Sequence, residues 1–302
     1  MFTSTRALAV AVLGLSASAL TVPVRRDVTS GLWSELNLYE QYSAAAYCPD
    51  NFNATAGTTV RCSTGNCPLV EQASATVVYS FDEVLISRSA GDGDTTGLLI
   101  KDDSRKLFIL SFRGSKTISN WLTNLDFTLT DASSLCDGCE AHKGFLEAWQ
   151  SVSEKIESEL SAAIAENKDY GIVVTGHSLG AALATLAAVE LRNQGDKVDL
   201  YTYGCPRVGN HAFASFVTTQ EGGTNYRVTH TDDPVPKVPP KSFGFSQPGP
   251  EYWVTAASNS SVSTSQITVV QGIDSDLGND GTAVGLDIAA HLWYFNKISA
   301  CG

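Results

Sequence analysis

The sequence predicts an α/β protein with a central, mostly parallel sheet flanked by helices, and three observations carry that prediction. Strand-like and helix-like segments alternate through the middle of the chain, the pattern of strand–helix–strand crossovers. The candidate crossover strands are apolar runs rather than alternating ones, as expected where both faces of a sheet are buried. With 43% hydrophobic and 17% charged residues the chain can bury a sizeable core, which excludes a disordered polypeptide.

The elements follow in order. Ala75–Phe81, Gly97–Lys101 and Lys106–Phe112 read as short β-rich runs, parted by turns such as Gly91-Asp92-Gly93 and Asp102-Asp103. Phe145, Trp149, Val152, Ile156, Leu160 and Ile164 repeat at helical spacing with charged residues between them, so one long amphipathic helix is expected. A buried strand, Gly171–Thr175, leads through Gly176 into an Ala/Leu-rich helix over about Leu179–Gln194. Gly195-Asp196 breaks the chain before a strand over Val198–Gly204. A helix over Asn210–Thr219, a strand over Tyr226–His230 and late strands near Tyr252–Thr255 and Ile267–Gln271 complete the pattern. No linker, repeat or low-complexity tract divides it, so a single domain is expected.

The first residues read as an address. Arg6 precedes the apolar run Ala7–Leu15, and Ala17-Ser18-Ala19 matches a small-x-small cleavage site, so residues 1–19 are expected to be a signal peptide. The dibasic pair Arg25-Arg26 then marks residues 20–26 as a pro-segment, leaving 27–302 as the mature domain. The apolar run is too short to span a membrane, and no transmembrane segment is expected. Net charge is −12, and the removed segment takes away three arginines and no acid. So acidic a surface repels nucleic acid and anionic membranes, which excludes a nucleic-acid partner. Seven cysteines in an exported chain suggest disulfides with one thiol left over. Cys136-x-x-Cys139 lacks a second pair or neighbouring histidines, so a local bridge is expected rather than a metal site. Asn53 and Asn259 open glycosylation sequons, which says only that they belong on the surface.

The chemistry begins at Gly176-His177-Ser178-Leu179-Gly180, a G-x-S-x-G pattern. Alone it is common by chance, but here it lies between a buried strand and a helix, the context of the nucleophile elbow of α/β-hydrolases. The turn would present the Ser178 hydroxyl at a helix N-terminus, where backbone N–H groups favour negative charge. A serine needs a base, and five histidines are available: His142, His177, His211, His230 and His291. In this fold the chain order is serine, acid, histidine, and His291 alone lies late enough. It stands in an apolar run, where a titratable ring is out of place unless used. His177 occupies a variable elbow position, His211 a polar helix start, and His142 and His230 read as structural. The acid belongs after a strand, and Asp233 follows Tyr226–His230 with Asp232 as its rival. Asp274, Asp276, Asp280 and Asp287 read as solvated loop carboxylates.

Ser-Phe-Arg-Gly-Ser (111–115), the elbow, His230-Thr231-Asp232-Asp233, Pro250-Glu251-Tyr252-Trp253 and Ala290-His291-Leu292-Trp293-Tyr294-Phe295 together resemble the filamentous-fungal class 3 lipases. The likeness is to the Thermomyces and Rhizomucor type, relatives of the feruloyl esterases, and spans nearly the whole mature chain from Gln41 onwards. It implies an α/β-hydrolase fold with a short helical lid and a triad of Ser178, Asp233 and His291. It also implies oxyanion donors at Leu179, through its backbone, and at Ser115, through backbone and hydroxyl. The family's disulfides would pair Cys48 with Cys301, Cys62 with Cys67 and Cys136 with Cys139, leaving Cys205 free. Two departures stand out: Ala181 replaces a glycine usual after the elbow, and Pro234 follows the acid.

Ile118, Trp121, Leu122 and Leu125 recur at i, i+3, i+4 and i+7, three residues beyond Ser115. An apolar-faced helix beside the oxyanion hole suits a lid that covers the site in water and opens onto lipid. The expected activity is therefore that of a secreted triacylglycerol lipase working at a lipid–water interface, as a monomer and without a metal or organic cofactor. A phospholipase A1 or feruloyl-type esterase would share the same catalytic residues and is the alternative. A catalytically dead binding module would have no use for the complete triad.

Overall fold

A computed structural model of the chain describes residues 1, 28–84, 94–283, 285 and 288–302. Beyond Met1, the expected signal and pro-segments lie outside the described residues, as do the Gly91-Asp92-Gly93 turn and Asp287. Strands β1 (Thr76–Val84), β2 (Asp94–Asp102) and β3 (Leu107–Phe112) come first, followed by β4 (Leu129–Asp131), β5 (Glu140–His142) and β6 (Gly171–His177). After them come β7 (Val198–Tyr203), β8 (Gly209–Asn210), β9 (Asn225–His230), β10 (Phe245–Ser246), β11 (Glu251–Val254) and β12 (Ile267–Val270). The helices are α1 (Ser30–Ala45), α2 (Pro68–Gln72), α3 (Ile118–Asn124), α4 (Lys143–Gln150), α5 (Ser153–Glu166), α6 (Leu179–Asn193) and α7 (His211–Thr219).

Among the described residues one sheet has the order β1-β2-β3-β6-β7-β9-β11-β12. Its centre, from β3 to β11, is parallel, and antiparallel strands close both ends. Side chains leave the central strands alternately for two cores. Phe108, Leu110 and Phe112 of β3 pack with α4, α5 and α6, whereas Ile109 faces the other way, into the core containing α1. Five alanines on α6 (Ala181, Ala182, Ala184, Ala187 and Ala188) let it lie close on the sheet, and it is buried along nearly its whole length. A second, small antiparallel sheet has the order β10-β8-β5-β4.

Three features differ from the sequence-based expectation. The long helix predicted from Phe145 to Ile164 is two helices, broken at Ser151-Val152. The Ser151 hydroxyl bonds Ala148 O and ends the first, while the apolar spacing continues across the break and hides it. Helix α1 gave no periodic signal because Leu36 and every residue from Leu38 to Ala45 are buried, leaving no consistent polar face. The small sheet is made of pieces too short to register. Cys48 is bonded to Cys301, Cys62 to Cys67 and Cys136 to Cys139, while Cys205 is buried and free. Burial pushes the Cys205 thiol up to about 12, so it is protonated and unreactive at neutral pH. Asn53 and Asn259 are exposed, as sequons require. No helix among the described residues is long and apolar enough to cross a membrane.

Candidate active site

The elbow is built where β6 runs straight into α6. Ser178 sits between them at φ 59°, ψ −128°, a strained backbone for a residue with a side chain. The flanking glycines are there for contact. A Cβ on Gly176 would lie 2.3 Å from Gly180 O, and one on Gly180 would lie 2.3 Å from Phe112 O. Strand and helix therefore pack closely with Ala181 in place of the glycine usual after the elbow.

The carboxylate comes from the turn after β9. Thr231 takes a positive φ of 37°, and Asp233 lands fully buried beneath the His291 ring. Its oxygens lie 3.0 and 2.8 Å from His291 Nδ1, and it also accepts from Tyr294 Oη (2.6 Å) and from Val235 N (2.8 Å). Asn279 Nδ2 braces the turn from behind by donating to Asp233 O (3.0 Å) and Thr231 O (3.2 Å). Asp232 is partly exposed. Pro234 fits the first turn after the acid with φ −73°. Of the late carboxylates, Asp280 is more than a solvated loop group: it accepts from Arg207, which is buried, at 2.6 Å.

His291 follows a turn closed by its own N–H on Ile288 O (3.0 Å). With Nδ1 committed to Asp233, its Nε2 is buried and has no hydrogen-bond partner. Ser178 Oγ and Ser115 Oγ are buried and unpaired as well. Ser115 reaches the elbow because Gly114 leaves room: a Cβ there would come within 2.8 Å of Ser178 Cβ. Unpaired buried polar atoms are costly, and three of them, brought from three segments of the chain, mark a place prepared for a ligand. Leu179, buried, opens α6 immediately after the serine.

Helix α3 continues from the Ser115 turn. Trp121, Ile118 and Leu125 are buried and Leu122 is half-buried, and the Trp121 ring stacks near Phe145 at 6.4 Å. Ser115, Ile118 and Asn120 line one wall of an open cleft of about 400 Å³, and Ile288 and Leu292, which bracket His291, line another.

Sequence reasoning missed several contributors. The sequence motif around His291 assigns Tyr294 no role, yet its hydroxyl bonds Asp233. Gly204, at φ 58°, is needed because a Cβ would lie 2.7 Å from His291 Cε1. Its signal was a glycine ending a buried strand. His177, in the x position of the elbow, is fully buried and bonded on both ring nitrogens. His142 and His230 are structural as expected, the former capping α4 through Phe145 N.

A strand–serine–helix turn at the carboxyl ends of a parallel sheet, facing a carboxylate-held histidine, defines a serine ester hydrolase of the α/β-hydrolase fold. The sequence profile of the Lipase (class 3) family matches residues 109–243, and that of the Lipase 3 N-terminal region matches residues 2–79. Secreted mono- and diacylglycerol lipase A of Penicillium cyclopium is 44% identical over 278 residues, covering 91% of this chain and 88% of the relative. The chain belongs to the class 3 lipases, and it is a secreted lipase. The crystal structure of mono- and diacylglycerol lipase from Aspergillus oryzae superposes with a TM-score of 0.84 at 43% identity, covering 91% of this chain and all of that one. A triacylglycerol lipase described as having a serine protease triad as its catalytic centre superposes with a TM-score of 0.78 at 30% identity, over 92% of this chain and 99% of that one.

Proposed function

We propose that the protein hydrolyses acylglycerols at a lipid–water interface, with partial acylglycerols as its best substrates and Ser178, His291 and Asp233 as its triad. One observation carries the catalytic assignment: His291 is anchored on its Nδ1 side by Asp233, while its Nε2, Ser178 Oγ and Ser115 Oγ stay buried and unpaired. Ser178 attacks the ester carbonyl as His291 Nε2 takes its proton, and Asp233 stabilises the imidazolium. The oxyanion accepts from the backbone N–H groups of Leu179 and Ser115 and from the Ser115 hydroxyl. His291 returns the proton to the leaving glyceryl oxygen, and water then releases the acyl group by the same steps. The triad comes from one chain, which suits a monomer.

The preference for partial acylglycerols is supported by the relatives: those at 43–44% identity are named mono- and diacylglycerol lipases, and the one named a triacylglycerol lipase stands at 30%. Rates on monoolein, diolein, triolein, phosphatidylcholine and methyl ferulate decide the matter. Diolein and monoolein are expected to lead. A lead for triolein removes the partial-acylglycerol preference, and a lead for phosphatidylcholine or methyl ferulate removes the acylglycerol reading itself.

Helix α3 serves as the lid. Trp121, packed inward, moves onto lipid when the helix lifts, and burying a side chain of that size there contributes about 2–3 kcal/mol. Trp121→Ser is expected to reduce activity on an emulsion far more than on a soluble short-chain ester. Equal losses on both would make Trp121 an ordinary core residue.

A further inference from the structure

The two backbone carbonyls on either side of the His291 Cα, those of Ala290 and His291, each meet another histidine. His230, at the end of β9, has Nδ1 2.8 Å from Ala290 O and Nε2 2.7 Å from Ala256 O. His177, at the end of β6, has Nε2 2.9 Å from His291 O and Nδ1 2.6 Å from the Tyr47 hydroxyl. A carbonyl oxygen only accepts, so His177 carries its proton on Nε2. Its Nδ1 is then bare, and Tyr47 O–H donates to it. Tyr47 is buried just past α1, and a Cβ on Gly114 would lie 2.2 Å from its hydroxyl. That hydroxyl therefore abuts the turn that carries Ser115 as well as the ring next to Ser178.

We propose that His177 and Tyr47 are positioning residues for the base: Tyr47 locks His177 in its Nε2–H tautomer, and His177 holds the backbone of His291. The proposal rests on the reading of His291 as the base. The need for such a device is visible in the fold, because residues 288–302 form no helix and pair with no strand of either sheet. The opposite tautomer would set the bare Nε2 against His291 O, two acceptors face to face, and push the base away. A displacement of about 1 Å at a reacting group costs on the order of 10²-fold in rate. The rings of His177 and His291 are 4.4 Å apart, so the protein also needs His177 uncharged when His291 takes up a proton. Burial, and then the His291 charge, hold His177 well below the usual histidine range. The titratable groups facing it are Tyr47 from the end of α1 and His291 and Tyr294 from the C-terminal segment, with Arg113 beyond Tyr47.

Two measurements test this. In the ¹⁵N imidazole spectrum of the wild-type protein, His177 is expected as the Nε2–H tautomer, unchanged across roughly pH 5 to 9, the range in which a free histidine would titrate. In kinetics on a soluble short-chain ester, Tyr47→Phe and His177→Leu are expected to lower kcat by roughly 10- to 10²-fold, with KM unchanged within about twofold. His177→Gln keeps a donor near the Nε2 position and is expected to recover part of the loss. An Nδ1–H tautomer, titration of His177 in that range, or a Tyr47→Phe protein with wild-type kcat would each overturn the proposal. Should the variants not fold, the wild-type spectrum decides alone. His291→Ala separates the two readings: if it stays active, the base assignment fails, whereas if it is dead and His177 shows the wrong tautomer, only this inference fails.

Discussion

Ser178 and His291 belong to one buried site but are held by opposite means. The serine stands in a continuous strand–turn–helix, fixed by ladder and helix hydrogen bonds and by two glycines that let backbone touch backbone. The histidine stands in a segment with neither ladder nor helix, and side chains from distant parts of the chain do the holding. Asp233 and His177 bond it directly, His230 bonds its neighbour, and Cys48 ties the segment's end through Cys301. Backbone geometry should make the serine side robust to side-chain loss away from the turn. The histidine side should depend on each clamp separately, and substitution can test that contrast.

The largest effects are expected where the two halves meet. Ser178→Ala and His291→Ala should each lower kcat by roughly 10⁴- to 10⁶-fold, with little further loss when combined, because the two act as a unit. Asp233→Asn should leave the fold intact and cost roughly 10⁴-fold. If Asp232→Asn is the crippling change and Asp233→Asn stays active, the acid has been misassigned. Next comes the turn of Ser115, the proposed oxyanion donor. Ser115→Ala should lower kcat about 10²- to 10³-fold with little change in KM, since its hydroxyl acts chiefly in the transition state. Full activity in that variant would leave Ser115 as no more than a turn residue ahead of α3.

The same contrast explains what the sequence could reveal. The elbow was legible because its strand, glycines, serine and helix are contiguous; chain order pointed to His291 and narrowed the acid to Asp233 or Asp232, and it is Asp233 that the structure bonds to His291. Tyr47, Asn279 and the orientation of His177 were not. Their roles exist only in contacts between segments far apart in sequence, such as the 130 residues between Tyr47 and His177. Ser178, too, announces its strain through neighbouring glycines, whereas Gly204 serves a ring 87 positions later (His291), and its only local sign is a glycine ending a buried strand. In the fold, the apolar parallel strands were read correctly because burial on both faces leaves a composition signal. Helix α1, buried on nearly every side from Leu36 onwards, lacks that signal because buried Glu40, Gln41 and Ser43 make it too polar in sequence to be told from a loop.

The disulfides offer a test of the base-side clamp that leaves catalytic groups untouched. Cys48–Cys301 spans 253 residues, against 5 for Cys62–Cys67 and 3 for Cys136–Cys139. A bridge closing a longer loop removes more freedom from the unfolded chain. Replacing both Cys48 and Cys301 by Ala should cost about 2–5 kcal/mol in urea unfolding and lower activity before unfolding begins. Removing Cys136–Cys139 should cost less and leave kcat unchanged. Equal stability losses, or an intact kcat without Cys48–Cys301, would mean the side-chain hydrogen bonds hold the segment unaided.

The smallest expected effect lies behind the same segment, at Glu40 of α1. Its Oε2 accepts from Asn296 Nδ2 at 2.8 Å, while its Oε1 and Asn296 Oδ1 are buried without partners. Among the described residues no cation bonds it, and burial, opposed by the bonds from Asn296, pushes its carboxyl well above the usual glutamate range, which favours the neutral acid. The linkage has a definite sign. The folded state keeps this proton to higher pH than the unfolded chain does, so between the unfolded and the folded values the native protein binds more protons. This contribution is complete at acid pH, below the unfolded value, and is lost as pH rises, at up to about 1.4 kcal/mol per pH unit. Carboxylates such as Asp102, held low by bonds from Ser104, Tyr42 and Arg105 although burial opposes them, act in the opposite direction at acid pH. The comparison must therefore be wild type against Glu40→Gln at each pH. Glutamine has the same shape and no proton to lose, so its urea midpoint should overtake that of the wild type as pH rises above the ordinary glutamate range. If the two midpoints instead move in parallel, Glu40 is charged in the folded protein, and the base-side segment is held against a buried charge rather than a neutral acid.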